Sequence, residues 1–302
     1  MILRASGSDP LAQERRAPRL GWLDSGRAVD AAPQREAVRQ ALVGYVNVDA
    51  LTIAERHAEG RPDRLPALAA ELVKLRVDTI LAVGSPALRA ARQATTTVPI
   101  VALAPRVGVG RGGDAGPNVT GVTFEGPEVS RRRLELLKTI APGIKSVALH
   151  AYPGDEGTAL RETQAVADRL GVAVVALEAA DGEGLGRALG GARPDALIVP
   201  GASAALGQRE EIVNAVARAR LPAMFPHREF VDAGGMASYG PNLAALYRRA
   251  GALIGKTLIG TPARDLPVET PSRHELVVSR KVARLFGIEV PASVLGRADE
   301  VR

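Results

Sequence analysis

The sequence predicts an α/β protein built from two similar lobes, each with a parallel sheet, that three crossovers join. The main observation is an internal repeat, because residues 19–140 and residues 145–259 place the same kinds of segment in the same order. Each half contains short apolar runs that end in Gly, Pro, Ser or a charged residue, which is typical of buried parallel strands. Segments with apolar residues at helical spacing separate these runs. Such alternation predicts parallel sheets with right-handed crossovers.

Each of the five predicted strands in the first half has a counterpart in the second half. The pairs are RLGWLDSG and KSVALHAYPG, LTIAERHAEG and VAVVALEAADG, TILAVGSP and ALIVPGAS, VPIVALAP and LPAMFPHR, and VTGVTFEG and GMASYGPN. Helical patterns lie between them, at 33–43, 65–75, 86–94, 158–170, 184–189 and 208–219. Each half is therefore predicted to be a Rossmann-like lobe, and a ligand is expected in the cleft between the two lobes.

A long helical pattern follows the fifth strand of each half, at 128–140 and 243–259. If each helix packs on the opposite lobe, the chain crosses over twice. The tail, with a Pro-rich linker, a strand near 275–279 and a helix near 280–286, supplies a third crossing. We therefore expect a first lobe of 19–124 plus 240–267, a second lobe of 125–239 plus 268–302, and a flexible N-terminal tail of 1–18. Three connections form a hinge that closes without free swivelling.

Composition excludes several classes of function. The 302 residues contain no Cys, which excludes thiol catalysis and disulfides, and the four His are too far apart in sequence for a metal site. The net charge of +6 comes from scattered Arg and aromatics are only 3%, so no nucleic-acid partner is expected. Gly108, Gly110 and Gly113 have dinucleotide-site spacing, but the following DAGPN does not begin a helix, so no cofactor is expected. We find no catalytic set and expect no enzyme activity.

Residues at the carboxyl ends of the strands line the crevice of an α/β sheet and are the candidate ligand-binding residues. They are Asp24, Ser25, Gly84, Ser85, Pro86 and Ala104 in the first lobe, and Tyr152, Gly201, Ser203, Phe225 and Glu229 in the second. Ser85 and Pro86 suit a helix start, whose free N–H groups bind carboxylates, although an ordinary capped helix explains them equally well. Tyr152 and Phe225 suit aromatic stacking, with core packing as the alternative for Phe225. Glu229 suits an ammonium group, with an exposed helix-start carboxylate as the alternative.

Several long segments resemble one known family. They are EGRPDRLPALAAELVKLRVDTILAVGSPALRAARQATTTVPIV, NVTGVTF, RRRLELLKTIAPG, FPHREFVDAGGMASYGPNLAALYRRAG and the C-terminal LPVETPSRHELVVSRKVARLFGIEVPASVLGRADEV. From Arg19 onwards the chain resembles the tryptophan/tyrosine-type ABC transporter substrate-binding proteins. The resemblance implies the periplasmic-binding-protein type I fold, with Ser85-Pro86 as a carboxylate-binding corner. It also implies a second-lobe wall made of Tyr152, the loop 200–203 and Phe225.

Three features depart from the family pattern. The N-terminus shows no signal peptide, the loop after the fourth strand is short, and GASAAL carries no carboxylate for a ligand amine. We expect a monomeric, non-catalytic, periplasmic protein that captures a small organic ligand by domain closure and delivers it to an ABC permease. The ligand is expected to be an aromatic or hydrophobic amino acid or a related carboxylate. The alternative is a cytosolic ligand-sensing module of the same fold, which would account for the missing signal peptide.

Overall fold

The computed structural model describes residues 16–28, 31–108, 115–152 and 157–302. Most of the predicted tail, together with Gly110 and Gly113 of the glycine run, lies outside these ranges. Two sheets account for the strands in the described part of the chain, one of six strands and one of seven. The predicted fold class of two α/β lobes is confirmed.

The first sheet belongs to the first lobe and is parallel throughout, in the order β11-β5-β4-β3-β1-β2. Its strands are β1 (Arg19–Asp24), β2 (Thr52–His57), β3 (Thr79–Val83), β4 (Ile100–Ala104), β5 (Val119–Thr123) and β11 (Val268–Glu269). Four long helices cover its two faces: α1 (Ala32–Leu42), α2 (Leu65–Lys74), α3 (Ser85–Ala94) and α10 (Leu243–Leu258). One apolar core lies under α2 and α3, and a second lies under α1 and α10, where the ring of Trp22 stacks on Tyr247 at 5.7 Å.

The second sheet belongs to the second lobe and has the order β13-β12-β10-β9-β8-β6-β7. Its strands are β6 (Ser146–Ala151), β7 (Ala173–Glu178), β8 (Ala196–Ile198), β9 (Ala223–Phe225), β10 (Ala237–Gly240), β12 (Glu275–Val278) and β13 (Glu300–Val301). The order β10-β9-β8-β6-β7 repeats the order β5-β4-β3-β1-β2, so the sequence repeat is a repeat of topology. Strand β12 runs antiparallel to β10, because it re-enters this sheet from the end at which β10 leaves it.

Eight helices of the described chain pack on the second sheet. One face carries α4 (Pro127–Ile140), α5 (Thr158–Ala167), α11 (Arg280–Leu285) and α12 (Ala292–Leu295). The other face carries α6 (Gly182–Ala192), α7 (Ser203–Gly207), α8 (Arg209–Ala219) and α9 (Arg228–Asp232). Under each face of this sheet, apolar residues of the helices pack against buried residues of the strands. Each lobe therefore has its own hydrophobic interior.

Three segments cross between the lobes: 124–126 from β5 to α4, 241–242 from β10 to α10, and 270–274 from β11 to β12. The boundaries differ slightly from the expected ones. Gly240 ends a strand of the second sheet, opposite Glu275, and Val268 pairs with Gly121 of the first sheet. The expected boundary therefore assigns Val268 and Glu269 to the wrong lobe, because edge-strand pairing depends on backbone hydrogen bonds that residue types do not reveal.

Candidate functional site

A cavity of about 150 Å³ lies between the lobes, where the carboxyl ends of the strands face one another. Residues of both lobes and of the first crossover line it. They are Ser25, Gly84, Ser85, Pro86, Arg89, Pro105, Arg106, Glu125, Tyr152, Thr158, Ala159, Glu162, Pro200, Gly201, Ala202 and Ala204. Six of the eleven candidate residues therefore meet at one place, as strand-end geometry predicts.

The start of α3 forms the first-lobe wall of the cavity. Gly84 adopts φ +89°, a conformation that favours glycine, and its carbonyl accepts from the backbone N–H of Leu88 at 3.0 Å. Pro86 occupies the first turn, and within the described ranges no side chain caps the helix start. The first N–H groups of a helix have no partner inside it, and the helix dipole makes this end positive. The wall therefore favours an anionic group.

Ser25 lies beside this helix start, since β1 and β3 are neighbours in the sheet. Its side chain is buried, with 5% of the residue exposed, and its Oγ has no hydrogen-bond partner among the described residues. Asp24 forms the turn that presents Ser25, because its Oδ1 accepts from the N–H of Gly26 at 2.8 Å. An unpaired buried hydroxyl costs free energy, so a ligand atom at this point would be stabilised.

The second-lobe wall combines an aromatic ring with small residues. Tyr152 follows β6, and its ring packs on His150 with centroids 4.6 Å apart. Its hydroxyl lies 3.5 Å from Oε1 of Gln208, and burial raises the pKa of the phenol well above its usual value. Tyr152 therefore stays neutral. Thr158 and Ala159, at the start of α5, extend this wall.

Charged side chains connect the two lobes across the cleft. Arg106 of the first lobe pairs with Glu162 of α5, and Glu162 also accepts from Oγ of Ser130 at 2.9 Å. Arg27 and Glu211 form a second interlobe pair at 3.3 Å. These pairs place charged side chains of the two lobes in direct contact across the cleft.

Glu125 lies on the first crossover and lines the cavity. Nη1 of Arg133 donates to both of its carboxylate oxygens at 2.8 Å, and the N–H of Gly201 donates to Oε1 at 2.9 Å. A Cβ on Gly201 would lie 2.4 Å from that oxygen, so glycine permits the close approach. The carboxylate is thus held between the hinge and the second-lobe loop.

Comparison with known proteins gives the family. Residues 31–302 match the model of the ABC transporter substrate binding proteins. The chain belongs to this family. It is 23% identical to a tyrosine-binding protein of Clostridioides difficile over 82% of this chain and 73% of the relative. This substrate-binding protein is therefore a solute-binding component of an ABC transporter, not an enzyme, and the predicted resemblance is confirmed.

Solved structures of similar shape show the same fold. A conserved domain protein from Vibrio cholerae superposes with a TM-score of 0.85 at 22% identity, covering 95% of this chain and 100% of that one. An ABC domain from Streptococcus pneumoniae in complex with L-Trp superposes with a TM-score of 0.83 at 22% identity, covering 94% and 99%. At these identities the likeness establishes the type I fold alone.

Two candidate residues of the substrate-binding protein are buried in the cores of the lobes and do not line the cavity. Ala104 is fully buried in β4 and packs in the core beneath α2 and α3. Phe225 is also fully buried, and its ring stacks on Phe230 at 5.2 Å. Both belong to strands whose last residues still point into the interior, and the turn that follows each strand supplies the exposed positions. Pro105 and Arg106 take the place expected of Ala104.

Glu229 lies in a separate groove between the lobes, beside Gln34. Burial raises the pKa of its carboxyl group, and Oε2 has no hydrogen-bond partner in the described part of the chain. Asp24 likewise lines a small neighbouring pocket and shapes the turn described above. Ser203 begins α7, and its side chain lies outside the description.

Sequence reasoning missed the charged residues of the cavity. Glu125 follows β5 as Ser25 follows β1, so the strand-end rule could have found it had the rule been applied to the fifth strand. Arg106 and Glu162 carry no local signal, since they belong to different lobes and meet only in the folded structure.

Two further searches covered the residues that the structure describes. No group of three or more His, Cys, Asp or Glu side chains comes close enough together to hold a metal ion. No helix is both long and apolar enough to cross a membrane.

Proposed function

We propose that this substrate-binding protein captures an aromatic or hydrophobic amino acid, or a related carboxylate, in the interlobe cavity by domain closure. It does so in the periplasm and delivers the ligand to an ABC permease. One observation carries the proposal: an uncapped helix start and an unpaired buried hydroxyl face an otherwise largely apolar cavity between the lobes. That pairing suits a ligand with a carboxylate at one end and an apolar body.

The carboxylate is assigned to the start of α3. The first turn of α3, Ser85 and Ser25 all line the first-lobe wall, where free N–H groups and two hydroxyls can donate. An anion at a helix start is favoured both by these donors and by the helix dipole. Binding would also satisfy the hydroxyl of Ser25, which has no protein partner among the described residues.

The apolar body of the ligand is assigned to the second-lobe wall. The face of Tyr152 and the small residues Ala159, Ala202 and Ala204 form a surface suited to an aromatic ring. A cavity of about 150 Å³ holds a benzene-sized ring. The tyrosine-binding relative and the L-Trp complex support an aromatic ligand.

Two carboxylates of the described residues, Glu125 and Glu162, offer acceptors for a ligand ammonium group. The loop GASAAL carries no carboxylate for a ligand amine. Glu125 and Glu162 instead reach the cavity from the first crossover and from α5. Their presence supports an amino acid over a simple acid. Each already accepts from protein donors, so the ammonium contact would be additional to the existing bonds.

Closure follows from the division of these contacts between the lobes. The carboxylate site lies on the first lobe and the ring site on the second, so a ligand gains both only when the cleft is shut. Such a ligand shifts the population toward the closed form. The interlobe pairs Arg106–Glu162 and Arg27–Glu211 are made in the same state and add to its stability.

A thermal-shift screen of the ligand-stripped protein tests the proposal with three indole compounds. L-Tryptophan has both ionic groups, indole-3-propionate lacks the amine and tryptamine lacks the carboxylate. A ligand that binds only the folded protein raises the unfolding midpoint. We expect shifts with L-tryptophan and indole-3-propionate and none with tryptamine. Equal stabilisation by tryptamine would contradict the carboxylate assignment, and no shift with any of the three compounds would contradict the proposed aromatic ligand.

A further inference from the structure

Arg133 is a fully buried cation outside the ligand cavity. It lies on α4, just after the first crossover, and 1% of its side chain is exposed. Its partner Glu125 is nearly as buried, with 6% of its side chain exposed. Removing two charges from water is costly, and well-packed apolar residues often serve stability equally well. The pair is therefore better explained by what it positions than by the stability that it adds.

The pair joins the hinge to the wall of the cavity. The backbone N–H of Glu125 donates to the carbonyl of Pro105 at 3.3 Å, which ties this residue to the first lobe. Its carboxylate accepts from Gly201, which ties it to the second-lobe loop. Arg133 orients the carboxylate through two bonds of 2.8 Å. A shift of Arg133 would therefore be transmitted to the cavity through Glu125.

Arg133 also links the crossovers to one another. Its Nε donates to the carbonyl oxygen of Tyr239 at 2.8 Å, at the end of the strand that leads into the second crossover. The ring of Tyr239 in turn stacks on His274 of the third crossover, with centroids 5.6 Å apart. One guanidinium group thus connects the first two crossovers, and the ring contact extends the connection to the third.

We infer that Arg133 is a positioning residue for ligand binding: it holds Glu125 and Tyr239 so that closure brings the loop 200–204 against the ligand at one fixed angle. This role rests on the proposed function, because it concerns the same cavity. Arg133 makes no direct ligand contact, and its effect is exerted through Glu125 and the hinge.

Four variants separate this role from a purely structural one. Arg133→Met removes the guanidinium, Arg133→Lys keeps the charge but cannot reproduce all three bonds, and Glu125→Gln/Arg133→Met removes both buried charges. Arg132→Met is the matched control, since Arg132 is the neighbouring residue on α4 and its side chain is 30% exposed, beside Glu135. L-Tryptophan and L-tyrosine serve as probes, with affinity and dissociation rate measured alongside the unfolding midpoint.

We expect Arg133→Met to weaken binding roughly 2- to 30-fold, chiefly through faster dissociation, as residues without ligand contact can do. Arg132→Met should bind like the parent protein. The double variant should recover the unfolding midpoint without recovering affinity. If Arg133→Met lowers the unfolding midpoint but binds as tightly as the parent, Arg133 only compensates a buried charge and the inference is wrong. If Arg133→Met does not fold, Arg133→Lys provides the same comparison.

A second measurement does not depend on the ligand. The chain has no Cys, so Lys74→Cys on α2 and Arg187→Cys on α6 allow spin labels to be placed on exposed sites, one in each lobe. Pulsed electron paramagnetic resonance then gives the interlobe distance distribution. Arg133→Met should broaden it in the ligand-free protein, and equal widths would contradict the hinge role. Broadening in a protein that binds neither amino acid would retain the hinge role and contradict the proposed function.

Discussion

Replacing Ser25 by Ala separates the ligand role of this residue from a structural role. The Oγ atom is buried and has no partner among the described residues, so its removal breaks no internal bond. The free energy of unfolding of the ligand-free protein should therefore stay unchanged or rise slightly. A hydrogen bond to a charged group contributes about 1.5–3 kcal/mol, so loss of the bond to a ligand carboxylate should weaken binding roughly 10- to 150-fold.

Isothermal titration calorimetry with L-tryptophan and L-tyrosine measures the affinity, and thermal unfolding without ligand measures the stability. Ser238→Ala is the matched control, because Ser238 is also buried, its Oγ also lacks a partner in the described chain, and it lies within β10. The control should preserve both affinity and stability. The reasoning is refuted if Ser25→Ala binds within twofold of the parent protein, or if it lowers the unfolding midpoint while the control does not.

Three other substitutions test separate parts of the account. Tyr152→Ala should weaken ligand binding about tenfold or more while Tyr152→Phe retains it, because the ring face makes the contact; equal calorimetric affinities of the two would contradict this. Gly201→Ala should destabilise the protein by about 1–3 kcal/mol in urea unfolding and weaken binding, because the added Cβ would lie 2.4 Å from Glu125. Gly190→Ala on α6 is the control and should stabilise the protein, because there is open space around Gly190. Burial and the charge of the nearby Arg133 lower the pKa of His227 from 6.5 to about 3, so the unfolded chain binds a proton that the folded protein excludes. The free energy of unfolding should therefore be unaffected by this residue above pH 6.5 and fall by about 1.4 kcal/mol per pH unit as the pH drops toward 3. The free energy of unfolding of His227→Asn should depend less steeply on pH over this range.

The sequence repeat predicted the architecture well, because a buried parallel strand has a clear signature in a single chain. Each pair of matched runs became a pair of strands at the same position of the two sheets, for example β3 and β8. Strand β11 was not predicted, because it has two residues and is recognised only by its pairing with β5. Its boundary depends on tertiary hydrogen bonds, which residue patterns do not encode.

The site was predicted in part, for a different physical reason. Strand-end reasoning placed Ser25, Ser85 and Tyr152 at one cavity, because the ends of parallel strands lie along one edge. It failed for Phe225, since a residue at the end of a strand can still point into the core. Strand β9 has only three residues, too few for the alternation of apolar and polar side chains to show which face is buried. Arg133 could not be found from the sequence, because its partners lie on the first crossover and at the end of the strand that leads into the second.

Small-angle X-ray scattering of the same protein with and without ligand tests the central claim most directly, namely that the cavity forms by closure of the two lobes on a ligand. The ligand is the compound with the largest shift in the thermal screen, added to saturation as verified by calorimetry. The account predicts a smaller radius of gyration with ligand, and scattering that matches the present structure, in which Arg106 and Glu162 are in contact. Identical profiles for the empty and the saturated protein would contradict it.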